Sequence, residues 1–129
     1  MADKIILADT SILIDYFRKT DKSNSSLVFL FEQGYDFAIS AISHYEIYSC
    51  TTTGQIPFWQ GLLQQTTVLA FNQNVAQTAL DKNNELKKKR KQIEMVDLFI
   101  AATAIIYDLP IATLNKKHFE RIDGRYIIE

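Results

Sequence analysis

Four oxygen-bearing side chains stand where they could do chemistry together: Asp9, Glu46, Asp97 and Asn115. Asp97 interrupts the apolar stretch IEMVDLFIAATA, where an unpaired buried carboxylate would be costly. Three carboxylates gathered at one place repel one another unless a hard cation lies between them. An oxygen-only ligand set favours Mg²⁺ or Mn²⁺ over zinc. Such ions hold a phosphate and activate a water for in-line attack.

The elements that must position these side chains are short buried strands alternating with helices. Continuous apolar runs predict strands at residues 5–8, 37–40, 68–71, 110–113 and 126–128. Periodicity and capping residues predict helices at residues 12–17, 27–31, 57–63, 74–91 and 94–107, and one that begins at Ser43. Strands separated by helices predict an α/β fold, a three-layer sandwich around a central parallel β-sheet.

The carboxyl ends of parallel strands form the edge at which such sheets bind ligands. Asp9 and Asn115 follow predicted strands, and Glu46 lies one helical turn beyond the second strand. Asp97 lies in the first turn of its predicted helix. We therefore expect the four side chains to meet at this edge.

Each of these residues also has a purely structural interpretation. Glu46 stands three residues after Ser43, which is the spacing of a capping box. Asp97 is a first-turn acid favoured by the helix dipole, and Asp9 could cap a helix. Asn115 could be an ordinary turn residue. Their common placement after strand ends favours the functional interpretation.

Length and composition indicate one domain spanning residues 1–129. The formal net charge of −1 gives no overall basic field, although a local basic patch remains compatible with it. The single Cys50 excludes an internal disulfide framework and a Cys-rich zinc site. The four-residue apolar run near the start is too short for a signal peptide or a membrane span, so we expect a soluble cytoplasmic protein.

Three segments, in order, resemble PIN-domain ribonucleases, and most closely the VapC toxins of VapBC toxin–antitoxin pairs. They are IILADTSILIDYF, AISAISHYEIYSC and VDLFIAATAIIYDLPIATLNKKHFERIDG. The resemblance implies that Asp9, Glu46 and Asp97 form an acidic site for Mg²⁺ or Mn²⁺. Asn115 stands at a fourth position that is often Asp. The implied activity is metal-dependent cleavage of RNA that leaves a 5′-phosphate and a 3′-hydroxyl, in some members at one site in transfer RNA.

Other polar residues near these segments receive supporting roles. Ser11, Ser40 and Thr113 are expected to hydrogen-bond to the acids. His118 could serve as a general base, but a lone histidine is more often structural, and we favour that interpretation.

Basic residues flank the third segment. The predicted RNA-binding residues are Lys87, Lys88, Lys89, Arg90, Lys91, Lys116, Lys117 and Arg121. Cations neutralise the phosphate backbone that an acidic pocket repels. The alternative for the first five is a solvated helix end, where cations are also favoured.

The turn after the long helix departs from the family, whose members often carry Gly and Pro there. Arg90, Lys91 and Gln92 reach the left-handed conformation less easily than Gly. The helix is therefore expected to extend or to bend.

An aromatic cluster has two interpretations. Tyr45, Tyr48, Phe58 and Trp59 are either core residues, our default, or part of a groove for a partner helix. The resemblance implies a VapB-like antitoxin that blocks the acidic pocket, and a homodimer.

Two rival functions come from other classes. A catalytically silent PIN-type domain that binds RNA or protein is kept open by Asn115. A phosphoacceptor receiver domain would need two adjacent acids after the first strand, and ILADTS supplies one.

Overall fold

A parallel sheet forms the centre of the molecule. The structure is a computed structural model that describes residues 4–122 and 127–128. The strands are β1 (Lys4–Ala8), β2 (Tyr35–Ser40), β3 (Thr67–Leu69) and β4 (Ile111–Ala112), in the order β3-β2-β1-β4, with every pairing parallel. Ile127 adds a parallel bridge to Ile111 at the β4 edge. Residue 126 of the predicted last strand lies outside the described residues.

Helices follow each strand. They are α1 (Thr10–Arg18), α2 (Ser26–Glu32), α3 (Ala41–Ser49), α4 (Ile56–Leu63), α5 (Gln73–Lys89), α6 (Met95–Tyr107) and α7 (Lys116–Phe119). Short 3-10 turns cover Lys22–Asn24 and Thr53–Gln55. The sequence analysis did not predict α7, which is a single turn long.

The second halves of β1 and β2 and all of β4 are buried on both faces, and successive side chains there enter two different cores. Leu7, Ala38 and Ile111 face a core shared with α5 and α6. Ile6, Ile39 and their neighbours face a second core shared with α1 to α4. This alternation follows from the two-residue period of a strand. It confirms the predicted three-layer α/β architecture around a parallel sheet.

The aromatic cluster divides between core and surface. Trp59 is buried and stacks on Phe17 with ring centroids 5.2 Å apart, while Phe58 packs edge-on against Trp59. Tyr45 is 71% exposed. The core interpretation therefore holds for Trp59 and does not hold for Tyr45.

The end of α5 differs from our expectation. Arg90 takes the left-handed conformation (φ 55°, ψ 41°) without a glycine. The Lys91 amide donates to the Leu86 carbonyl at 2.9 Å, and the Arg90 amide donates to the Lys87 carbonyl at 3.1 Å. This pair of bonds is a Schellman motif, which satisfies two carbonyls that the helix end would leave unpaired. The helix neither extends nor bends, because these bonds offset the strain at Arg90.

The described helices include none with the length and apolar character needed to cross a membrane.

Candidate active site at the carboxyl edge of the sheet

Asp9 leaves the end of β1 and is buried, with 2% of its surface exposed. It occupies the N-cap position of α1, yet its side chain makes no capping bond to the helix backbone. Instead its Oδ2 accepts hydrogen bonds from Ser11 Oγ and Thr113 Oγ1, both at 2.8 Å. The carboxylate is therefore held by side chains, and the capping interpretation does not explain it.

The two hydroxyl groups on Asp9 also join two loops. Ser11 Oγ accepts from the Leu114 amide at 3.0 Å, and Thr113 Oγ1 accepts from the Asn115 amide at 2.9 Å. The turn after β1 and the turn after β4 are thus fastened around one carboxylate. We call Ser11, Thr113 and these bonds the Asp9 clasp.

Glu46 projects from α3 toward the turn after β1. Thr10 Oγ1 donates to Glu46 Oε1 at 2.6 Å and lies 2.8 Å from Ser43 Oγ. Burial raises the pKa of the Glu46 carboxyl, the Thr10 hydrogen bond lowers it, and the charges of Asp9 and Asp97 raise it further. Glu46 is therefore an acid that faces other acids.

The capping-box interpretation of Glu46 is wrong, because α3 begins earlier than predicted. Ser40 is the N-cap, and its Oγ accepts from the backbone amides of Ile42 at 2.9 Å and Ser43 at 3.2 Å. Ser40 therefore caps a helix, and its expected hydrogen bond to the acids is not what the structure shows. Ser43 is the third helical residue.

Asp97 has a partner that the sequence analysis did not assign. His118 Nδ1 of α7 lies 2.6 Å from Asp97 Oδ2. Burial raises the pKa of the Asp97 carboxyl, the His118 hydrogen bond lowers it, and the Asp9 charge raises it. The imidazole of His118 thus stabilises the Asp97 carboxylate within an apolar helix. The negative charge of Asp9 still acts on that carboxylate.

These acids share one cleft of about 830 Å³. Its lining comes from the turn after β1, one face of α1, Glu46, the start of α6 and the turn after β4. Asn115 is exposed and also lines it. The structure therefore brings all four predicted residues to one concave surface at the expected edge of the sheet.

The cations that line this cleft are not the predicted ones. Arg18 and Lys19, at the end of α1, belong to its lining, and Lys19 pairs with Asp15 at 3.7 Å. Arg18 follows Ser11 and Ile14 at intervals of seven and four residues. Side chains at such spacing share one helix face. This spacing could have predicted that Arg18 lies near the site. Thr10, in the motif DTS directly after Asp9, could also have been predicted to lie there.

The predicted basic residues lie elsewhere. Residues 87–91 and Lys117 are exposed, and Lys116 is half-buried. Arg121 donates from Nη1 to the Gln92 carbonyl at 3.0 Å, which joins the segment after α7 to the segment before α6. Contact between these residues and RNA remains a prediction.

The acids of the site are not yet gathered as a set of metal ligands. Among residues 4–122 and 127–128, no group of three or more His, Cys, Asp or Glu side chains is gathered closely enough to hold a metal ion. The acids share a cleft and interact through their charges, but the clasp, Thr10 and His118 hold them individually.

Fold and site together define a class. A model of the PIN domain matches residues 6–125, and the chain belongs to the PIN-domain family. Among curated relatives, it is similar to ribonuclease VapC1 of Methanocaldococcus jannaschii, at 36% identity over 91% of this chain and 80% of that protein. This membership confirms the resemblance in the sequence and leaves the receiver-domain alternative without support.

Solved structures agree with this assignment. VapBC-1 from nontypeable Haemophilus influenzae superposes with a TM-score of 0.82 at 24% identity, covering 97% of each chain, which shows the fold alone. A toxin–antitoxin complex from Klebsiella pneumoniae gives a TM-score of 0.72 at 26% identity, over 95% of this chain and 99% of that one.

Proposed function

We propose that this protein is a VapC-type toxin, a metal-dependent endoribonuclease that hydrolyses RNA phosphodiester bonds in the cytoplasm. The observation that carries the proposal is the convergence of Asp9, Glu46 and Asp97 on one cleft. Burial raises the pKa values of the Glu46 and Asp97 carboxyls, and the negative charge of Asp9 raises both further. The similarity to ribonuclease VapC1 supports RNA as the substrate class.

The chemistry of the donor set fits Mg²⁺ or Mn²⁺. Asp9, Glu46 and Asp97 would hold the ion, and all three offer carboxylate oxygens. Burial and mutual repulsion are the costs that a bound cation relieves. The described residues include no group of three such ligands already gathered closely enough to hold the ion. When bound, the ion supplies polarisation of the phosphate and activation of water.

The chain's own residues orient the acids for this task. Ser11 and Thr113 fix Asp9, and Thr10 fixes Glu46. Asn115 lines the cleft and brings an amide where a fourth acid would add charge. Fewer charges lower the affinity for the ion, and they also lower the repulsion of an approaching phosphate.

Arg18 and Lys19 are the side chains that we assign to the RNA backbone at the cleft wall. A cleft of carboxylates repels phosphates, so cations at its rim must compensate. Both residues are exposed and lie on the same wall as Asp15. Lys87 to Lys91, Lys116, Lys117 and Arg121 would extend this contact beyond the cleft.

A VapB-like antitoxin is the proposed inhibitor. An acidic cleft attracts a basic side chain, and the toxin–antitoxin complex from Klebsiella pneumoniae shares this fold. The expected homodimer belongs to the same proposal.

The decisive experiment uses purified protein, bulk transfer RNA and Mn²⁺, with Asp9→Asn as the matched variant. We expect cleavage that stops in EDTA and falls about 100-fold or more in the variant, since several kcal/mol of metal-derived stabilisation are lost. Products should carry 5′-phosphate and 3′-hydroxyl ends, read by end-labelling. Equal cleavage by both proteins indicates a contaminating nuclease, and no cleavage by either overturns the proposal.

The second candidate function is a silent PIN-type domain that binds RNA or protein without cutting. Asn115 and the absence of a preassembled metal cluster among the described residues favour it. It predicts RNA binding by gel shift, unchanged by EDTA and by Asp9→Asn, with no product ends.

A further inference from the structure

The side chain of His118 approaches Asp97 from outside the cleft. Asp97 lines the cleft, whereas His118 is not among the described residues that line it. An ionised carboxylate can only accept a hydrogen bond, so the Nδ1 atom carries the proton and donates it. At 2.6 Å this is a short charge-assisted bond, and it fixes the direction of one carboxylate oxygen.

The helix that carries His118 is itself anchored by the residues that follow His118. Phe119 is fully buried in the core shared with α6, and Ile122 is buried beside it. Arg121 donates to the Gln92 carbonyl, just before α6. The His118 amide donates to the Asn115 carbonyl at 3.1 Å. A single helical turn is therefore fastened across the start of α6, with the imidazole at its contact point.

Without this contact, nearby negative charges would repel the Asp97 carboxylate. Asp9 and Glu94 both act on it with negative charge. Repulsion favours rotation of the side chain away from the other acids, whereas metal binding needs it among them. A donor that holds Oδ2 from behind opposes that rotation.

We propose that His118 is the positioning residue for Asp97: through its Nδ1–H bond to Oδ2 it holds the carboxylate in the orientation in which it receives the divalent cation. The inference rests on the proposed metal-dependent function. His118 makes no contact with metal or RNA in this scheme, and it acts through Asp97. Side chains that hydrogen-bond to a metal ligand fix its orientation, and the loss of such a partner typically weakens metal affinity about 10- to 100-fold.

The test compares His118→Ala, His118→Asn and His118→Gln in metal-stripped protein titrated with Mn²⁺ by calorimetry. The Asn amide nitrogen lies as far along the side chain as Nδ1, whereas the Gln amide reaches the place of Nε2. We expect Mn²⁺ affinity to fall about tenfold in the Ala and Gln variants and to return toward the wild-type value in the Asn variant. Melting temperature is recorded for all of them, because a merely structural role would lower it without that Asn-specific rescue.

The outcomes separate this inference from the function on which it rests. Wild-type protein that binds Mn²⁺ and cleaves RNA, together with unchanged affinity in His118→Ala, overturns the positioning role alone. Affinity lost equally in the Ala, Asn and Gln variants also overturns it, since the Nδ1 position would then be irrelevant. Wild-type protein that neither binds Mn²⁺ nor cleaves overturns the proposed function, and the inference falls with it.

Discussion

Asp9 and Asp97 face the same cleft but are held in different ways. Asp9 sits at a strand end, where two hydroxyls from adjoining turns clasp it. Asp97 sits on a helix and depends on one imidazole from α7. The strand-end acid is fixed by hydroxyl groups of two turns at the edge of the sheet, whereas the helix acid is fixed by a side chain of another helix. The position of Asp9 therefore depends on the edge of the sheet, whereas the position of Asp97 depends on how α7 packs against α6.

The largest expected effect comes from removing the charge of the helix acid. Asp97→Asn should reduce cleavage about 100-fold or more, because several kcal/mol of metal-derived stabilisation are lost. The melting temperature should stay level or rise slightly, since repulsion from Asp9 disappears. A steep fall in melting temperature, measured by calorimetry, would show that Asp97 is a structural residue.

Next in size is the effect at the cleft wall. Arg18→Glu should weaken RNA binding about tenfold and flatten its dependence on salt, because a phosphate contact is lost and a repulsive charge gained. Lys88→Glu makes the same charge change on the exposed basic run beyond the cleft, where a smaller loss of RNA binding is expected. Fluorescence anisotropy over a salt series measures both. A larger loss of RNA affinity in the Lys88 variant would show that RNA binds mainly at the end of α5 and not at the cleft wall.

The clasp itself can be loosened without touching an acid. Thr113→Val keeps the shape and removes one donor to a buried carboxylate, which should lower the free energy of unfolding by about 1–3 kcal/mol. Thr10→Val removes the donor to the less buried Glu46 and should cost less. Urea denaturation measures both values. Equal losses of unfolding free energy would show that Asp9 and Glu46 depend equally on their hydroxyl donors.

A pH effect distinguishes the acids on helices. The pKa values of Glu46 and Asp97 are raised above their ordinary 4.5 and 3.8, so the folded state binds their protons more tightly than the unfolded state. Their contribution to stability is fully present below these values and is lost as pH rises through the higher folded pKa values. Urea denaturation in metal-free buffer should show this loss for wild type. It should be reduced in Glu46→Gln, and a loss of unchanged size there would contradict the assignment.

The smallest effect is expected at the turn that leads to the Asp97 helix. Arg90→Gly should stabilise the protein by up to about 1 kcal/mol, because glycine adopts the left-handed conformation without strain. Asp108, at φ 57°, closes α6 in the same way, and Asp108→Gly should gain less because Asp tolerates this conformation better. Thermal unfolding of both variants measures the difference.

The sequence predicted the strands and the convergence of the acids because both depend on local patterns. Short apolar runs mark buried parallel strands, and acids that follow them must share an edge. The start of α3 was misplaced because Ser40 and Ser43 are both capping residues. Only the backbone geometry shows that Ser40 accepts the two amide bonds.

The partner of Asp97 could not be predicted for a different reason. His118 is 21 residues away, and its contact exists because Phe119 inserts into the core and orients α7. No local pattern encodes such packing. The left-handed Arg90 is similar, since the Schellman bonds override the low propensity of arginine for that conformation.

The clasp on Asp9 joins the first tenth of the chain to its last fifth, and this has a consequence for synthesis. During translation Asp9, Glu46 and Asp97 are all synthesised before Thr113. Until that residue emerges and β4 docks, the first acid is without one of its two donors. A translation product that ends between residues 97 and 113 therefore carries all three acids but lacks the hydrogen bond from Thr113 that holds Asp9.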